Sequence, residues 1–114
     1  LSYDMTICDH HHNFHIPPLS LQILFENSVK HNVVSRQYPL TIQIYTTEDN
    51  SIIVQNNLQK KNVMNKSTRT GLNNIIQRYQ YLTNRTVKID DSDGYYSVAL
   101  PLLQVTKGSV PQQI

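Results

Sequence analysis

A stretch of alternating apolar and polar residues in the first half of the chain constrains the fold more than any other feature. Every second residue of LTIQI (40–44) is apolar, which is the pattern of a strand that buries one face. The segment EDN (48–50) is typical of a turn, and SIIVQNN (51–57) has the composition of a second strand. The sequence therefore predicts a β-hairpin over residues 40–56.

Two further segments have the apolar spacing of amphipathic helices. The first follows Pro17 and Pro18, which suit a helix start because proline lacks the N–H that a first turn leaves unpaired. The second follows Gly71 and covers residues 72–82. One buried face is predicted on each helix. These faces consist of Leu21, Leu24, Phe25, Ser28 and Val29 in the first helix, and of Leu72, Ile75, Ile76, Tyr79 and Leu82 in the second.

The remaining segments complete a mixed pattern of strands and helices. It predicts an α+β fold, a two-layer α/β sandwich whose mixed, mostly antiparallel sheet is covered on one face by helices. We expect one domain over residues 1–103 and a loose tail over 104–114. The other predicted elements are a strand at 3–8, a loop at 9–18, a long polar loop at 58–70, and a second hairpin formed by 86–90 and 95–102.

Length and composition exclude several classes of protein. The 114 residues fit one domain, and the single cysteine excludes an internal disulfide framework. No run of about 18 apolar residues is present, so no membrane-spanning helix is predicted. A formal charge of +2 permits an anionic ligand without requiring nucleic acid. The chain begins without methionine, so we expect it to be part of a longer protein.

Three polar residues at the end of the first helix are candidates for a shared ligand. Asn27, Lys30 and His31 lie on one strip beside the apolar face and cannot form ion pairs with one another. An amide oxygen can ligate Mg²⁺, and an ammonium can hold a phosphate. The alternative is an ordinary solvated helix end with a Glu26–Lys30 pair at i, i+4.

Five separated segments together resemble a known family. They are IPPLSLQILFENSVKHN, PLTIQI, IIVQNNLQKK, GLNNIIQRY and YYSVALPL, in this order. They resemble the ATP-binding domain of sensor histidine kinases, most closely its LytS-like branch, in the superfamily that includes gyrase and MutL. The resemblance implies a Bergerat-type ATP-binding fold, with ATP and Mg²⁺ as cofactors.

The resemblance also implies roles for individual residues. Residues 26–32 match the family's N box, which assigns Glu26, Asn27 and Lys30 to catalysis and Asn27 to Mg²⁺. Asn56 matches the family's aspartate that accepts a hydrogen bond from the adenine amino group, and an asparagine oxygen can accept the same bond. The polar loop 58–70 occupies the place of the ATP lid. The full set implied to bind the nucleotide is Asn27, Lys30, His31, Asn56, Lys60, Arg69, Gly71 and Leu72.

The family's partners follow from the same resemblance. The kinase would transfer the γ-phosphate of ATP to a histidine on a separate dimerisation domain, from which it passes to an aspartate of a response regulator. The histidine motif of that domain is not among the five histidines here. We therefore expect this chain to be the catalytic domain alone, cytoplasmic, in a homodimeric kinase anchored in the inner membrane.

Two alternatives depend on other residues. The family has glycines where this chain has Leu58 and Arg69, and an aspartate at Asn56, so a non-catalytic kinase-like module used for protein interaction is the main alternative. The segment CDHHHNFH suggests a weaker one, because cysteine and histidine are zinc ligands although their spacing lacks a finger pattern. The candidate ligands there are Cys8, His10, His11, His12 and His15.

Overall fold

A computed structural model describes residues 2–9, 12–31, 40–57, 66–91, 94–104 and 112–113, with the backbone alone at 30–31, 66–70 and 112–113. The described chain contains two helices and eight strands. The helices are α1 (Ser20–His31) and α2 (Lys66–Leu82). The strands are β1 (Ser2–Thr6), β2 (Phe14–Ile16), β3 (Thr41–Thr47), β4 (Ser51–Asn57), β5 (Lys88–Asp90), β6 (Tyr95–Pro101), β7 (Leu103–Gln104) and β8 (Gln112–Gln113).

The main sheet has five strands in the order β1-β3-β4-β6-β5. β1 is parallel to β3, and the other three pairings are antiparallel. Both predicted hairpins are present, and Asn50 takes a positive φ of 61° in the first turn, where asparagine is favoured. The chain is thus a mixed α/β protein with a mixed, mostly antiparallel sheet, as the sequence predicted.

One face of this sheet forms the core together with both helices. Along β3, Ile42 and Ile44 are buried whereas Thr41 and Gln43 are exposed, which confirms the alternation in the sequence. The Tyr79 hydroxyl donates to the Pro101 carbonyl oxygen at 2.8 Å and ties α2 to the end of β6. The buried core side chains of the helices are Leu24, Leu72, Ile75 and Tyr79, and those of the three central strands are Ile42, Ile44, Ile52, Val54, Val98 and Leu100.

The start of the second helix differs from the prediction. α2 begins at Lys66, so Gly71 is its sixth residue and not the residue before it. The sequence KSTRT (66–70) contains no apolar residue, and apolar periodicity could therefore not reveal this extra turn. The predicted loop 58–70 is wrong over 66–70, and its first part, 58–65, lies outside the described residues.

Two segments that the sequence predicted to be irregular contribute to a second sheet. β2 lies within the predicted loop 9–18, and it pairs with β7 on one side and β8 on the other. β8 belongs to the predicted tail, so residues 112–113 are paired and not loose. Periodicity cannot detect strands of two or three residues, since one alternation is not a pattern.

Candidate functional site

Helix α1 carries two consecutive polar residues into the protein interior. Asn27 is 6% exposed and Ser28 is 4% exposed. Ser28 follows Leu24 by one helical turn, so it continues the apolar stripe of α1 toward the sheet. Buried polar groups need partners, because an unpaired donor or acceptor loses the hydrogen bonds it makes with water. We therefore describe the surroundings of these two side chains in turn.

The partner of Ser28 is Asn56 on β4. Ser28 Oγ donates to Asn56 Oδ1 at 3.0 Å, although the two residues are 28 positions apart. The same hydroxyl lies 3.1 Å from the Leu24 carbonyl oxygen, so its one hydrogen is shared between two acceptors. Asn56 is 1% exposed. This contact brings the first helix and the second strand of the hairpin together through polar atoms in the core.

The orientation of the Asn56 amide is fixed by its other neighbour. Asn56 Nδ2 lies 3.0 Å from the Asn57 carbonyl oxygen, which can only accept a hydrogen bond. The reversed amide would place two acceptor oxygens against each other at this position. Nδ2 must therefore face the carbonyl, and Oδ1 must face Ser28.

Asn27 differs from Ser28 in that its side chain has no hydrogen-bond partner among the described residues. It forms no hydrogen bond with any residue that the structure describes, although it is almost fully buried. An amide oxygen is a suitable ligand for Mg²⁺, which commonly takes one or two protein oxygens and completes its shell with water and phosphate. The donor chemistry of Asn27 therefore fits the predicted metal role.

Tyr96 lies opposite Asn56 on the neighbouring strand β6. Its side chain is half-buried. Burial, together with the nearby negative charge of Asp91, raises the pKa of the Tyr96 hydroxyl. The group is therefore neutral at physiological pH and can donate a hydrogen bond, but it adds no charge to the site.

The other predicted N-box residues are placed differently. Glu26 is exposed, and its Oε1 accepts a hydrogen bond from Gln22 Nε2 at 3.3 Å. It does not share the interior position of Asn27. Lys30 and His31 lie in the last turn of α1, three and four positions after Asn27. Their side chains lie outside the described part of the chain, so the strip of three residues stays a prediction.

The residues predicted from the third motif lie within α2. Leu72 is buried at 7% exposure, and a Cβ built on Gly71 would lie 3.1 Å from Ile23 Cγ2. Gly71 is thus a point of close approach between the two helices. Only the first four N–H groups of a helix lack a helical acceptor, so the unpaired donors of α2 belong to residues 66–69 and not to Gly71 or Leu72.

The structure leaves two other sequence predictions without a test. Arg69 is the fourth residue of α2, but its side chain is not described, and Lys60 lies outside the described residues. In the histidine segment, the same holds for residues 10–11. Within the described part, no three His, Cys, Asp or Glu side chains are grouped as metal ligands would be. The closest charged contact there joins His12 Nε2 and Asp9 Oδ1 at 3.7 Å.

Sequence reasoning did not identify Ser28 as a site residue. A detectable signal was present, because a hydroxyl in the middle of the apolar stripe of α1 must find a partner inside the protein. The inward-facing positions of β4 alternate through Ile52, Val54 and Asn56, and only the last of these has a polar side chain. Ser28 and Asn56 are thus the polar exceptions in the apolar patterns of α1 and β4, and their side chains form a hydrogen bond with each other.

The sequence was compared with protein-family models and with curated proteins. No protein-family model matches the chain, and no curated protein sequence matches it. Within the described residues, neither helix has the length and apolar composition of a membrane-spanning segment. The resemblance to sensor histidine kinases accordingly depends on the sequence motifs alone.

Proposed function

We propose that this chain is the ATP-binding catalytic domain of a sensor histidine kinase, with a two-layer sandwich of the Bergerat type. The observation that carries the proposal is the hydrogen bond between Ser28 and Asn56. The resemblance assigns the segments around these residues to two separate nucleotide-binding motifs. The bond shows that the two segments adjoin in the fold, and this contact supports the proposal that both border one pocket.

Asn27 has the central chemical role in this proposal. Its amide oxygen would hold Mg²⁺ against the phosphates, and the metal would neutralise charge that develops during phosphoryl transfer. Lys30 and the first turn of α2 would contribute further positive potential, since a helix N-terminus attracts anions. Positioning and charge neutralisation suffice for transfer to an imidazole, which is itself the nucleophile.

The partners belong to the same proposal. The acceptor histidine would lie on a separate dimerisation domain, and a response regulator would receive the phosphate. The complete kinase would be a homodimer held at the inner membrane, with this domain on the cytoplasmic side. None of these partners is a nucleic acid.

A non-catalytic module is the second candidate, and one observation favours it. Asn56 is 1% exposed and its amide is engaged with Ser28 and Asn57, so it offers little to a ligand. Leu58 and Arg69 also replace glycines of the family pattern. This candidate predicts an intact fold that does not bind ATP.

Titration with an ATP analogue, with and without Mg²⁺, separates the two candidates. We expect binding that depends on Mg²⁺, and Asn27→Ala should weaken it by about tenfold or more, equivalent to ~1.4 kcal/mol. Asn74→Ala is a matched control, because Asn74 is an exposed asparagine on α2. Circular dichroism should show that both variants keep the wild-type fold. Equal affinity of wild type and Asn27→Ala would refute the role of Asn27, and no binding by the wild type would favour the non-catalytic module.

A further inference from the structure

A cavity of about 730 Å³ lies on the face of the main sheet opposite the two helices. Its floor contains Ile53 of β4 and Ala99 of β6, which are paired in the strand register. Ile53 alternates with the core residues Ile52 and Val54, so its side chain points away from the helices. The volume is within the range of about 300–1,000 Å³ that is typical of pockets for small ligands.

The hairpin turn that forms one wall of this cavity is held in place by Arg85. The guanidinium donates to the carbonyl oxygens of Asp49 and Asn50, each at 2.8 Å, and to Ser51 Oγ at 2.9 Å. The Leu102 N–H also donates to the Asn50 carbonyl oxygen, at 2.8 Å. The wall is thus fixed by contacts within the protein, and a site that is ordered in advance loses less entropy when a ligand binds.

Charged side chains of opposite sign line different walls of the cavity. Glu48 and Asp49 belong to the hairpin turn, whereas Lys88 lies on β5. The Thr47 hydroxyl and, to a smaller extent, Arg85 lower the pKa of Asp49, so neighbouring groups already stabilise its charge. Within the described part of the chain, no salt bridge joins either acid to either cation. Glu48 and Lys88 therefore remain as opposed charges with the cavity between them.

This arrangement suits a ligand that carries both signs of charge. A simple anion would be attracted by Lys88 but repelled by the carboxylates of the turn, and a simple cation would be repelled by Arg85. A zwitterion can place its carboxylate at Lys88 and its ammonium at Glu48, with an apolar chain over Ile53 and Ala99. Hydrogen bonds between such charged groups are stronger than those between neutral ones.

We propose that this cavity binds a small zwitterion whose ammonium and carboxylate are separated by an apolar chain. The cavity is separate from the proposed nucleotide site. Asn56 contacts α1 on the other face of the sheet, and it lies about 17 Å along β4 from Ser51. The inference therefore goes beyond the proposed function, and the failure of either would leave the other standing.

Titration with three compounds of equal chain length, followed by amide chemical shifts of the isotope-labelled protein, tests the proposal. The compounds are 6-aminohexanoate, which carries both charges, and hexanoate and hexylamine, which carry one each. We expect 6-aminohexanoate to shift amides around the cavity and to bind at least about tenfold more tightly than either analogue. Equal affinity of the three compounds, shifts confined to other parts of the chain, or no binding of 6-aminohexanoate would overturn the proposal.

Two variants that remove one charge each assign the two ends of the ligand. Lys88→Gln should weaken 6-aminohexanoate to the level of hexylamine, and Glu48→Gln should weaken it to the level of hexanoate. Asp4→Asn is the matched control, because Asp4 is an exposed carboxylate on β1 outside the cavity, and it should leave the affinity unchanged. Undiminished binding by both charge variants would refute the assigned contacts. If a variant does not fold, the wild-type ranking of the three compounds still decides the question.

A third variant tests the position of the ligand. Ala99→Leu adds bulk to the floor of the cavity and should abolish binding of 6-aminohexanoate, while circular dichroism shows that the fold is kept. Wild-type affinity in a folded Ala99→Leu protein would place the ligand elsewhere and overturn the proposal.

Discussion

Replacement of Asn56 by aspartate should destabilise the fold, and the structure indicates why. The change converts Nδ2 into an oxygen 3.0 Å from the Asn57 carbonyl oxygen, so that a donor–acceptor contact becomes a contact of two acceptors. The position is 1% exposed, which prevents water from separating the two oxygens. Ser28 can still donate to the other carboxylate oxygen, so only one of the two hydrogen bonds of the Asn56 side chain is lost.

The expected loss of stability can be worked out from these contacts. The lost hydrogen bond contributes about 1 kcal/mol, and the buried contact of two acceptor oxygens costs about 1–3 kcal/mol. The bond from Ser28 becomes stronger by about 1 kcal/mol when its acceptor is charged, which offsets part of the loss. We therefore expect Asn56→Asp to lower the free energy of unfolding by about 1–3 kcal/mol at pH 7.5.

The loss should depend on pH with a definite sign. Burial disfavours the ionised form, so the pKa of the new carboxyl is raised in the folded state above its unfolded value of about 3.9. A group with a raised folded pKa is most favourable to folding below the unfolded pKa, and this contribution disappears as pH rises through the folded pKa. At pH 4.5 the protonated carboxyl can donate to the Asn57 carbonyl, and the deficit should fall below about 1 kcal/mol.

Urea unfolding followed by circular dichroism at pH 4.5 and 7.5 measures this difference against wild type at each pH. Asn74→Asp is the matched control, because it makes the same amide-to-acid change at an exposed asparagine on α2. It should change stability by about 0.5 kcal/mol or less. A deficit of Asn56→Asp that is absent at pH 7.5, or equal at both pH values, would refute this account of the Asn56 contacts.

Two further predictions concern the packing of α2. Tyr79→Phe removes the donor to the Pro101 carbonyl oxygen and should cost about 1–2 kcal/mol in urea unfolding; an unchanged midpoint would contradict this. Burial raises the pKa of Tyr79, so wild-type stability should fall as pH rises above about 10, and Tyr79→Phe should lack this part of the decline. Gly71→Ala places a methyl group 3.1 Å from Ile23 Cγ2, and this crowding should cancel the gain of about 0.5–1 kcal/mol expected for alanine in a helix. In an Ile23→Ala background the gain should reappear, and an additive double-mutant cycle would exclude the proposed contact.

The helices and strands that could be predicted from the sequence are those that bury one apolar face. β3 and α1 repeat their apolar residues often enough for the period to be recognised, and both occur where predicted. The first turn of α2 and the strands of the small sheet do not have this property. Residues 66–70 have no apolar side chain, and β2 is a three-residue strand whose partners come from the far end of the chain. Such pairings are decided by tertiary contacts, which the local pattern does not record.

The candidate site was predictable to a similar extent and for a related reason. Asn27 could be selected as a polar residue beside an apolar helical face, whereas Asn56 was selected only through the family resemblance. The sequence pattern could not show which hydrogen bonds each side chain forms. Ser28 donates a hydrogen bond to the amide oxygen of Asn56, whereas the Asn27 amide forms no hydrogen bond with a described residue. The two asparagines therefore differ in the fold: Asn56 is held by hydrogen bonds within the protein, whereas Asn27 forms no hydrogen bond with a described residue. Mutation of Asn27 should accordingly change Mg²⁺-dependent binding with little effect on stability, whereas mutation of Asn56 should change stability first.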